Sequence, residues 1–245
     1  AARRPAASGS AVRGKVEEPM KVVLDIETVQ APKAEWARLA GVDLAEGEDL
    51  LSAGEAAQQD KDYDKSSFDG TYSRIVCIGL IAFSDSMEPQ GALAWYGGQE
   101  KELLRQFWAW MGKARPGLVI THNGLGFDLP FIKKRSIIHQ VRPPVEISLA
   151  KFRTEPVYDT LAVWSNWDSR GWVKLDVLAR ALGVETKSGS GKQVAEMWQA
   201  GRGREIADYC LQDCYVTYAC YSKMTFREPI KSAEVLAKKE LIETE

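Results

Sequence analysis

Two acidic residues interrupt an apolar segment near the start of the chain, in the sequence KVVLDIETV at residues 21–29. Side chains alternate between the two faces of a strand, so Asp25 and Glu27 point to the same side. At a separation of about 6 to 7 Å, two full charges repel each other by about 2 to 3 kcal/mol in an effective dielectric near 20. Divalent cations bound between the two carboxylates would offset this repulsion.

A third carboxylate, Asp128, follows a predicted strand that ends at Thr121. The sequence between them, HNGLGF, is a Gly-rich turn, and a helical pattern begins with LPF. Asp is a common N-cap residue because its carboxylate accepts hydrogen bonds from the free amides of the first helical turn. The carboxyl end of a strand is also where α/β sheets bind ligands. Asp128 is therefore either an N-cap or a ligand.

A fourth carboxylate, Asp213, lies in the segment REIADYCLQDCYVTYAC at residues 204–220. Residues recur at intervals of three and four along one stripe of this segment, which predicts a helix that faces the sheet. Tyr209 and Asp213 are four residues apart and share one helical face. A carboxylate directed at a core is costly unless it is paired or binds a metal. The alternative is that Asp213 reaches the edge of the helix and is solvated.

The four acidic residues together indicate a metal site. Hard oxygen ligands favour Mg²⁺ or Mn²⁺ over Zn²⁺. Several carboxylates that converge on one point are typical of two ions about 3.5 to 4 Å apart, an arrangement that catalyses in-line displacement at phosphorus. We therefore predict two divalent cations as cofactors.

The elements that position these residues follow from hydrophobic periodicity. Four strands are predicted, in KVVLDIETV, RIVCIGLIAF, GALAWYGG and LVIT. Helices are predicted in QEKELLRQFWAWMGKA, DLPFIKKRSIIHQ, LDVLARALG and KQVAEMWQA, and from about residue 204 to residue 224. Strands come first and a helix crosses between them, so we expect an α/β fold with a mixed sheet flanked by helices.

Three regions are predicted along the 245 residues, of which 45% are hydrophobic. Residues 1–19 are rich in Ala, Gly, Ser and Arg and are expected to form a flexible N-terminal arm. Residues 20–225 are expected to form the domain that carries the four acidic residues, in which the acidic segment 30–72 is a surface insertion with one short helical pattern at residues 34–39. Residues 226–245 are expected to form a C-terminal helical extension.

Composition limits the partners and the compartment. Lys and Arg total 32 against 34 for Asp and Glu, so nucleic-acid binding must be local or assisted by metal. The four cysteines form no CxxC pair, which predicts free thiols in a reducing compartment. No apolar run is long enough to span a membrane, and the N-terminal segment has no secretory signal. We expect a soluble intracellular protein in the cytoplasm, or in an organelle matrix if the N-terminus is a processed transit peptide.

Three motifs in chain order carry a family resemblance. LDIET, NGLGFD and YCLQD resemble the motifs D-x-E, N-x3-F-D and Y-x3-D of the DEDD exonuclease superfamily. The DEDDy form is the better match, because the sister DEDDh form would have His at the position of Asp208. Further segments, RIVCIG, YDT, LDVLARALGV and GSGKQVAEMW, are similar to the 3′-5′ exonucleases related to the proofreading domain of family B DNA polymerases. The resemblance covers about residues 21–222.

The resemblance implies a ribonuclease H-like fold: a five-stranded mixed sheet of order 3-2-1-4-5, with strand 2 antiparallel and helices on both faces. It also implies that Asp25 bridges both metals, and that Glu27 and Asp213 hold the ion that activates water. Asp128 would serve the second ion. Tyr209 would orient or deprotonate the nucleophilic water, and its ordinary pKa near 10 favours orientation.

Substrate contacts are likewise implied by the resemblance. The terminal nucleotide would be contacted through a hydrogen bond from an asparagine and through packing or stacking against a phenylalanine. Asp159, in the family's Asp-Thr pair, is interpreted as a helix start and not as a ligand. The predicted substrate-binding residues are Asn123, Phe127, Thr28, Lys187 and Lys192.

The leading hypothesis is a two-metal-ion 3′-5′ exonuclease that releases nucleoside monophosphates from the 3′ end of single-stranded DNA. A first alternative is a 3′-5′ exoribonuclease that trims RNA, since the superfamily acts on both sugars. A second alternative is an exonuclease-like module in a replication or ribonucleoprotein assembly, which would dock through the N-terminal arm and the insertion. No membrane partner is expected.

Overall fold

The computed structural model describes residues 19–42, 53–186 and 191–244, without the side chains of residues 53–57 and 191–192. Most of the predicted N-terminal arm lies outside these ranges. The strands are β1 Lys21–Gln30, β2 Ser73–Phe83, β3 Pro89–Tyr96, β4 Leu118–Thr121, β5 Val157–Asp159 and β6 Lys239–Glu243. The helices are α1 Lys33–Ala40, α2 Ala53–Ser66, α3 Glu100–Ala114, α4 Asp128–Ile138, α5 Thr160–Trp164, α6 Leu175–Ala181, α7 Gly191–Gln199, α8 Gly203–Met224 and α9 Ser232–Val235.

The six strands form one mixed sheet of order β5-β4-β1-β2-β3-β6. β2 is antiparallel to both β1 and β3. β4 is parallel to β1, and β5 is parallel to β4. The predicted order 3-2-1-4-5 with an antiparallel second strand is therefore confirmed, and the fold is ribonuclease H-like. A sixth strand, β6, runs parallel to β3 at its outer edge and was not predicted.

The C-terminal segment corrects one expectation, because it is not a helical extension. Helix α9 has only four residues, and the chain then enters the sheet as β6. Leu241 and Ile242 lie opposite Ala94 and Trp95 of β3. The free edge of β3 offers backbone groups that a strand can pair, and this pairing outweighs the helical propensity of Lys, Glu and Leu in the segment.

The two faces of the sheet bury separate hydrophobic clusters. Val22 and Leu24 of β1 pack with residues of α3 and α4, whereas Val23 packs with residues of α8. Strand alternation therefore turns Asp25 and Glu27 toward α8. Helices cover both faces, as expected. In the part of the chain that the structure describes, no helix has the length and hydrophobicity needed to cross a membrane.

The described part of the insertion packs beside the end of β1. Helix α1 confirms the predicted helical pattern, but α2 was not predicted. The α2 sequence contains three Ala, two Gln and two Lys residues, which favour helices without providing an apolar stripe. Tyr63 of α2 contacts Trp36 of α1 edge to face, with ring centroids 5.5 Å apart. Its hydroxyl donates a hydrogen bond to the Ala31 carbonyl at 2.8 Å, so α2 is fixed next to β1.

Candidate active site

The base of the candidate site is the α8-facing side of β1. Asp25 lies opposite Gly79 of β2, and the register shifts between Glu27 and Thr28. Such irregularities redirect side chains and are common next to active sites. A Cβ at residue 79 would lie 2.7 Å from the Cys210 Sγ, closer than real contacts allow. Gly79 therefore allows α8 to approach the carboxylates of β1.

Asp128 reaches β1 from the start of α4. Its Oδ1 accepts a hydrogen bond from the Ile26 amide at 3.1 Å, and the residue is only 3% exposed. The N-cap position belongs to Phe127, and no side chain caps this helix. The N-cap interpretation of Asp128 is therefore wrong. The carboxylate is held at the backbone between Asp25 and Glu27 instead.

The turn that carries Asp128 is held in place by Asp159. The Asp159 carboxylate accepts hydrogen bonds from the amides of Asn123 and Leu125, each at 2.9 Å. It also accepts from Leu161 and Ala162 at the start of α5, which confirms its prediction as a helix start. One buried side chain thus caps a helix and fixes the Gly-rich turn before α4.

Helix α8 contributes Tyr209 and Asp213 to the same place. Burial raises the pKa of the Tyr209 hydroxyl far above its usual value, and the neighbouring Asp213 and Glu27 carboxylates raise it further. Tyr209 is therefore neutral at physiological pH. A neutral phenol can position a water molecule by hydrogen bonding, but it is a poor general base.

The four carboxylates lie close enough to perturb one another's ionisation. Burial raises the pKa of Asp25 well above its usual range, and the nearby carboxylates of Asp128, Glu27 and Asp213 add to the rise. Burial likewise raises the pKa of Glu27 strongly, that of Asp128 to about 7 and that of Asp213 to about 6. The structure thus brings together the five predicted catalytic residues.

These carboxylates have no cationic partner in the described part of the chain. Every salt bridge found there joins other residues. Buried charges of one sign are unfavourable unless something neutralises them. A site in which carboxylates predominate and side-chain cations are absent from the described residues fits divalent metal ions such as Mg²⁺ or Mn²⁺.

Cys210 is a residue of this site that the sequence analysis missed. Its Sγ lies 3.5 Å from the Asp25 carbonyl oxygen and 3.6 Å from its Oδ2. Ligand atoms of Cys210, Asp25 and Glu27 all lie within 4.8 Å of one another. The available signal was its place in the YCLQD motif, three residues before Asp213 on one helical face. All four cysteines are buried free thiols.

The predicted substrate-binding residues are only partly placed. Asn123 has a left-handed backbone with φ of 63°. Phe127 is half-buried, and its ring centroid lies 5.4 Å from that of Phe131. Thr28 is half-buried at the end of β1, with its Oγ1 3.5 Å from the Ser67 carbonyl oxygen. Lys187 and the side chain of Lys192 lie outside the described residues, and substrate binding by all five residues stays a prediction.

Similarity to known proteins agrees with this geometry. Part of the chain is 27% identical over 138 residues to a DNA polymerase of Pyrococcus glycovorans. The aligned region covers 49% of the chain and 17% of the relative. A catalytic subunit of DNA polymerase epsilon from Arabidopsis thaliana is 28% identical over 141 residues, 53% of the chain and 6% of the relative. The chain thus corresponds to a small part of these polymerases.

A family model matches most of the chain. Residues 68–244 match the family described as "Predicted 3'-5' exonuclease related to the exonuclease domain of PolB". The match includes the turn with Asp128 and the helix with Tyr209 and Asp213, and it begins after β1. More than half of the chain is matched, so the protein belongs to this family of predicted 3′-5′ exonucleases related to the exonuclease domain of PolB.

Proposed function

We propose that this protein is a two-metal-ion 3′-5′ exonuclease that hydrolyses phosphodiester bonds at the 3′ end of single-stranded DNA and releases nucleoside monophosphates. The proposal depends on one observation: four buried or half-buried carboxylates from β1, α4 and α8 lie close enough to raise the pKa of Asp25, and they have no described cationic partner. Family membership supports the direction of cleavage. The names of the relatives, which are DNA polymerases, support DNA over RNA.

The carboxylates provide a set of ligands for two divalent ions. In this proposal Asp25 would contact both ions, Glu27 and Asp213 would hold the first, and Asp128 would serve the second. When bound, the ions supply Lewis-acid stabilisation of the charge that develops on the phosphate during in-line displacement. The hydrogen bond from the Ile26 amide keeps Asp128 directed at the other ligands.

Other residues of the chain position the reactants. The neutral Tyr209 hydroxyl, next to Asp213, orients the attacking water. Asn123 and Phe127 contact the terminal nucleotide, and the Asp159 carboxylate holds the turn that presents them. These residues act by positioning, which contributes to rate because the reacting atoms are already aligned.

Asp25→Ala is the sharpest test of the mechanism. Removal of a shared ligand abolishes both metal sites, so hydrolysis of a 5′-labelled single-stranded oligonucleotide with Mg²⁺ should fall by at least about 10³-fold. The matched control is Asp208→Ala, because Asp208 directly precedes Tyr209 on α8 but pairs with Lys239 at 2.6 Å. This control should keep near wild-type rates, and near wild-type rates for Asp25→Ala would end the proposal.

Direction and sugar preference are tested with the wild-type protein. A 3′-blocked DNA strand should resist hydrolysis, whereas a 5′-blocked strand should be degraded to nucleoside monophosphates. Matched RNA should be degraded more slowly than DNA. If RNA is degraded faster than DNA, the exoribonuclease alternative replaces the proposal of a DNA substrate. No hydrolysis of either polymer with Mg²⁺ or Mn²⁺ would favour a non-catalytic module in an assembly.

A further inference from the structure

Exposed aromatic and basic side chains are concentrated between residues 151 and 174, and both ends of this segment contact its middle: the Phe152 ring packs on the Trp167 ring, and Gly171 lies against Ser165. Three large aromatic residues there are 42% to 74% exposed, although burial would be favourable for each. The basic residues among them are exposed as well. We call this the aromatic-basic surface, and it comprises Phe152, Trp164, Trp172, Lys151, Arg153 and Lys174.

This surface is attached to the loop that forms the candidate active site. The Nδ1 of His122 lies 2.9 Å from the Thr160 Oγ1, and its Nε2 lies 3.2 Å from the Val173 carbonyl oxygen. Trp172 and Lys174 are the chain neighbours of Val173, and His122 directly precedes Asn123. One end of the surface therefore borders the turn that presents Asn123 and Asp128.

The backbone of this segment has an unusual conformation at three residues, two of which are aromatic. Phe152, Asn166 and Trp167 have φ angles of 61°, 52° and 59°, in the left-handed region that side-chain-bearing residues rarely adopt. The Phe152 and Trp167 rings nevertheless pack together, with centroids 5.8 Å apart. Strained, non-glycine positions persist where the surrounding structure requires them, and they concentrate at binding sites.

Charge identifies the partner that fits this surface. Within residues 151–174, no salt bridge engages Lys151, Arg153 or Lys174, whereas Arg170 neutralises Asp168 at 2.6 Å. Aromatic faces beside unpaired cations are typical of surfaces for single-stranded nucleic acid, where bases stack on the rings and phosphates meet the cations. A duplex keeps its base faces stacked and offers nothing to the rings.

We propose that the aromatic-basic surface binds single-stranded nucleic acid on the 5′ side of the terminal nucleotide, so that the enzyme holds several nucleotides and not only the one it removes. This inference rests on the proposed exonuclease function, because it assumes that the 3′ end lies among the carboxylates. The strand leaves the site past His122 and crosses Trp172 toward Phe152.

Binding is tested in the full chain carrying Asp25→Asn, which prevents degradation. Anisotropy of a 5′-labelled 12-nucleotide dT strand gives the dissociation constant, and adding Phe152→Ala with Trp172→Ala should raise it at least 10-fold. Trp172→Ala alone, the less disruptive variant, should raise it at least threefold. The matched control is Phe226→Ala, since Phe226 is a 99% exposed aromatic residue just after the C-terminal end of α8. This substitution should leave the dissociation constant unchanged.

The contribution of the basic residues to strand binding is measured separately, through the salt dependence of the affinity. Replacing Lys151, Arg153 and Lys174 with Gln should lower the slope of log affinity against log salt by about 2, since each phosphate contact on a single strand contributes about 0.7. An unchanged slope together with unchanged affinity in the aromatic variants would overturn the proposal.

A small substrate separates this inference from the proposed function. The p-nitrophenyl ester of thymidine 5′-phosphate fills only the terminal site. The double variant Phe152→Ala, Trp172→Ala is made for this test in a chain that keeps Asp25. Its kcat/KM for the 12-nucleotide strand should fall at least 10-fold more than its kcat/KM for the ester. An equal loss on both substrates would mean that the surface only supports the site. Wild-type protein that hydrolyses neither substrate contradicts the exonuclease proposal, whereas strand binding still tests the surface.

Discussion

Two buried sites in this protein, one with a single carboxylate and one with several, differ in what surrounds the acidic groups. Glu100, at the start of α3, is 5% exposed and accepts hydrogen bonds from the Ile75 amide at 2.8 Å and from Arg135 at 2.8 and 2.6 Å. The His139 Nε2 lies 2.8 Å from the same carboxylate. At the α8 face, by contrast, the charged neighbours of Asp25 and Glu27 are Cys210 and other carboxylates, all of which raise their pKa.

The contrast teaches how to distinguish a structural carboxylate from a functional one. A buried carboxylate that arrives with its own donors connects elements, and Glu100 joins α3, α4 and β2 in this way. A buried carboxylate without a cationic partner is a cost to folding unless a ligand binds it. Substitutions at the two sites should therefore have opposite effects on stability and on hydrolysis.

Arg135→Met should destabilise the fold while sparing the chemistry. The substitution leaves Glu100 buried without its main partner, and breaking a buried pair in this way costs about 3 to 5 kcal/mol. Urea denaturation should show this loss. Hydrolysis per folded molecule should stay near the wild-type rate. A stability within about 1 kcal/mol of wild type would show that Glu100 does not need Arg135.

Mn²⁺ should stabilise the wild-type protein and not the Asp25→Asn variant. An ion that binds only the folded state at 100 times its dissociation constant adds about 2.7 kcal/mol to the free energy of unfolding. Thermal denaturation with increasing Mn²⁺ measures this as a rise in Tm. Arg135→Met serves as the control and should show the same rise from its lower starting Tm. A wild-type Tm independent of Mn²⁺ would contradict a metal site.

Tyr209→Phe should reduce kcat by about 10- to 100-fold, because the phenol positions water without acting as the base. The rate of hydrolysis as a function of pH should keep its wild-type shape. A general base would instead leave a changed pH profile and a much larger loss. The comparison with Asp25→Ala separates a positioning group from a metal ligand.

In metal-free protein, the raised pKa of Asp128 should make the free energy of unfolding depend on pH. Its pKa is raised to about 7 in the folded state from an ordinary value near 3.8, so the folded protein binds more protons than the unfolded chain between these values. The stability that protonated Asp128 contributes is complete below about pH 4 and is lost as the pH rises through about 7. Asp128→Asn should therefore gain stability over wild type across this interval, by at most about 1.4 kcal/mol per pH unit. Urea denaturation in EDTA measures it, and a constant difference would contradict the burial of an unpaired carboxylate.

Sequence patterns anticipated the central elements well. The alternation in KVVLDIETV and the spacing of Tyr209 and Asp213 predicted which side chains share a face. Local patterns could not decide Asp128, since an N-cap and a ligand look alike before a helix. Helix α2 lacked an apolar stripe, and β6 depended on a free sheet edge 147 positions earlier in the chain.

The sequence by itself determined the periodicities, the acidic residues within them and the elements that carry them, because backbone geometry repeats every 2 residues in a strand and every 3.6 in a helix. Only the tertiary structure decided which of the described carboxylates meet at one site without a cationic partner. The hydrogen bond from Ile26 to Asp128 joins residues 102 positions apart. The approach of Cys210 to Asp25 spans 185 positions and requires the open space above Gly79. Such contacts follow from how the whole sheet and its helices pack, and no local window of sequence contains that information.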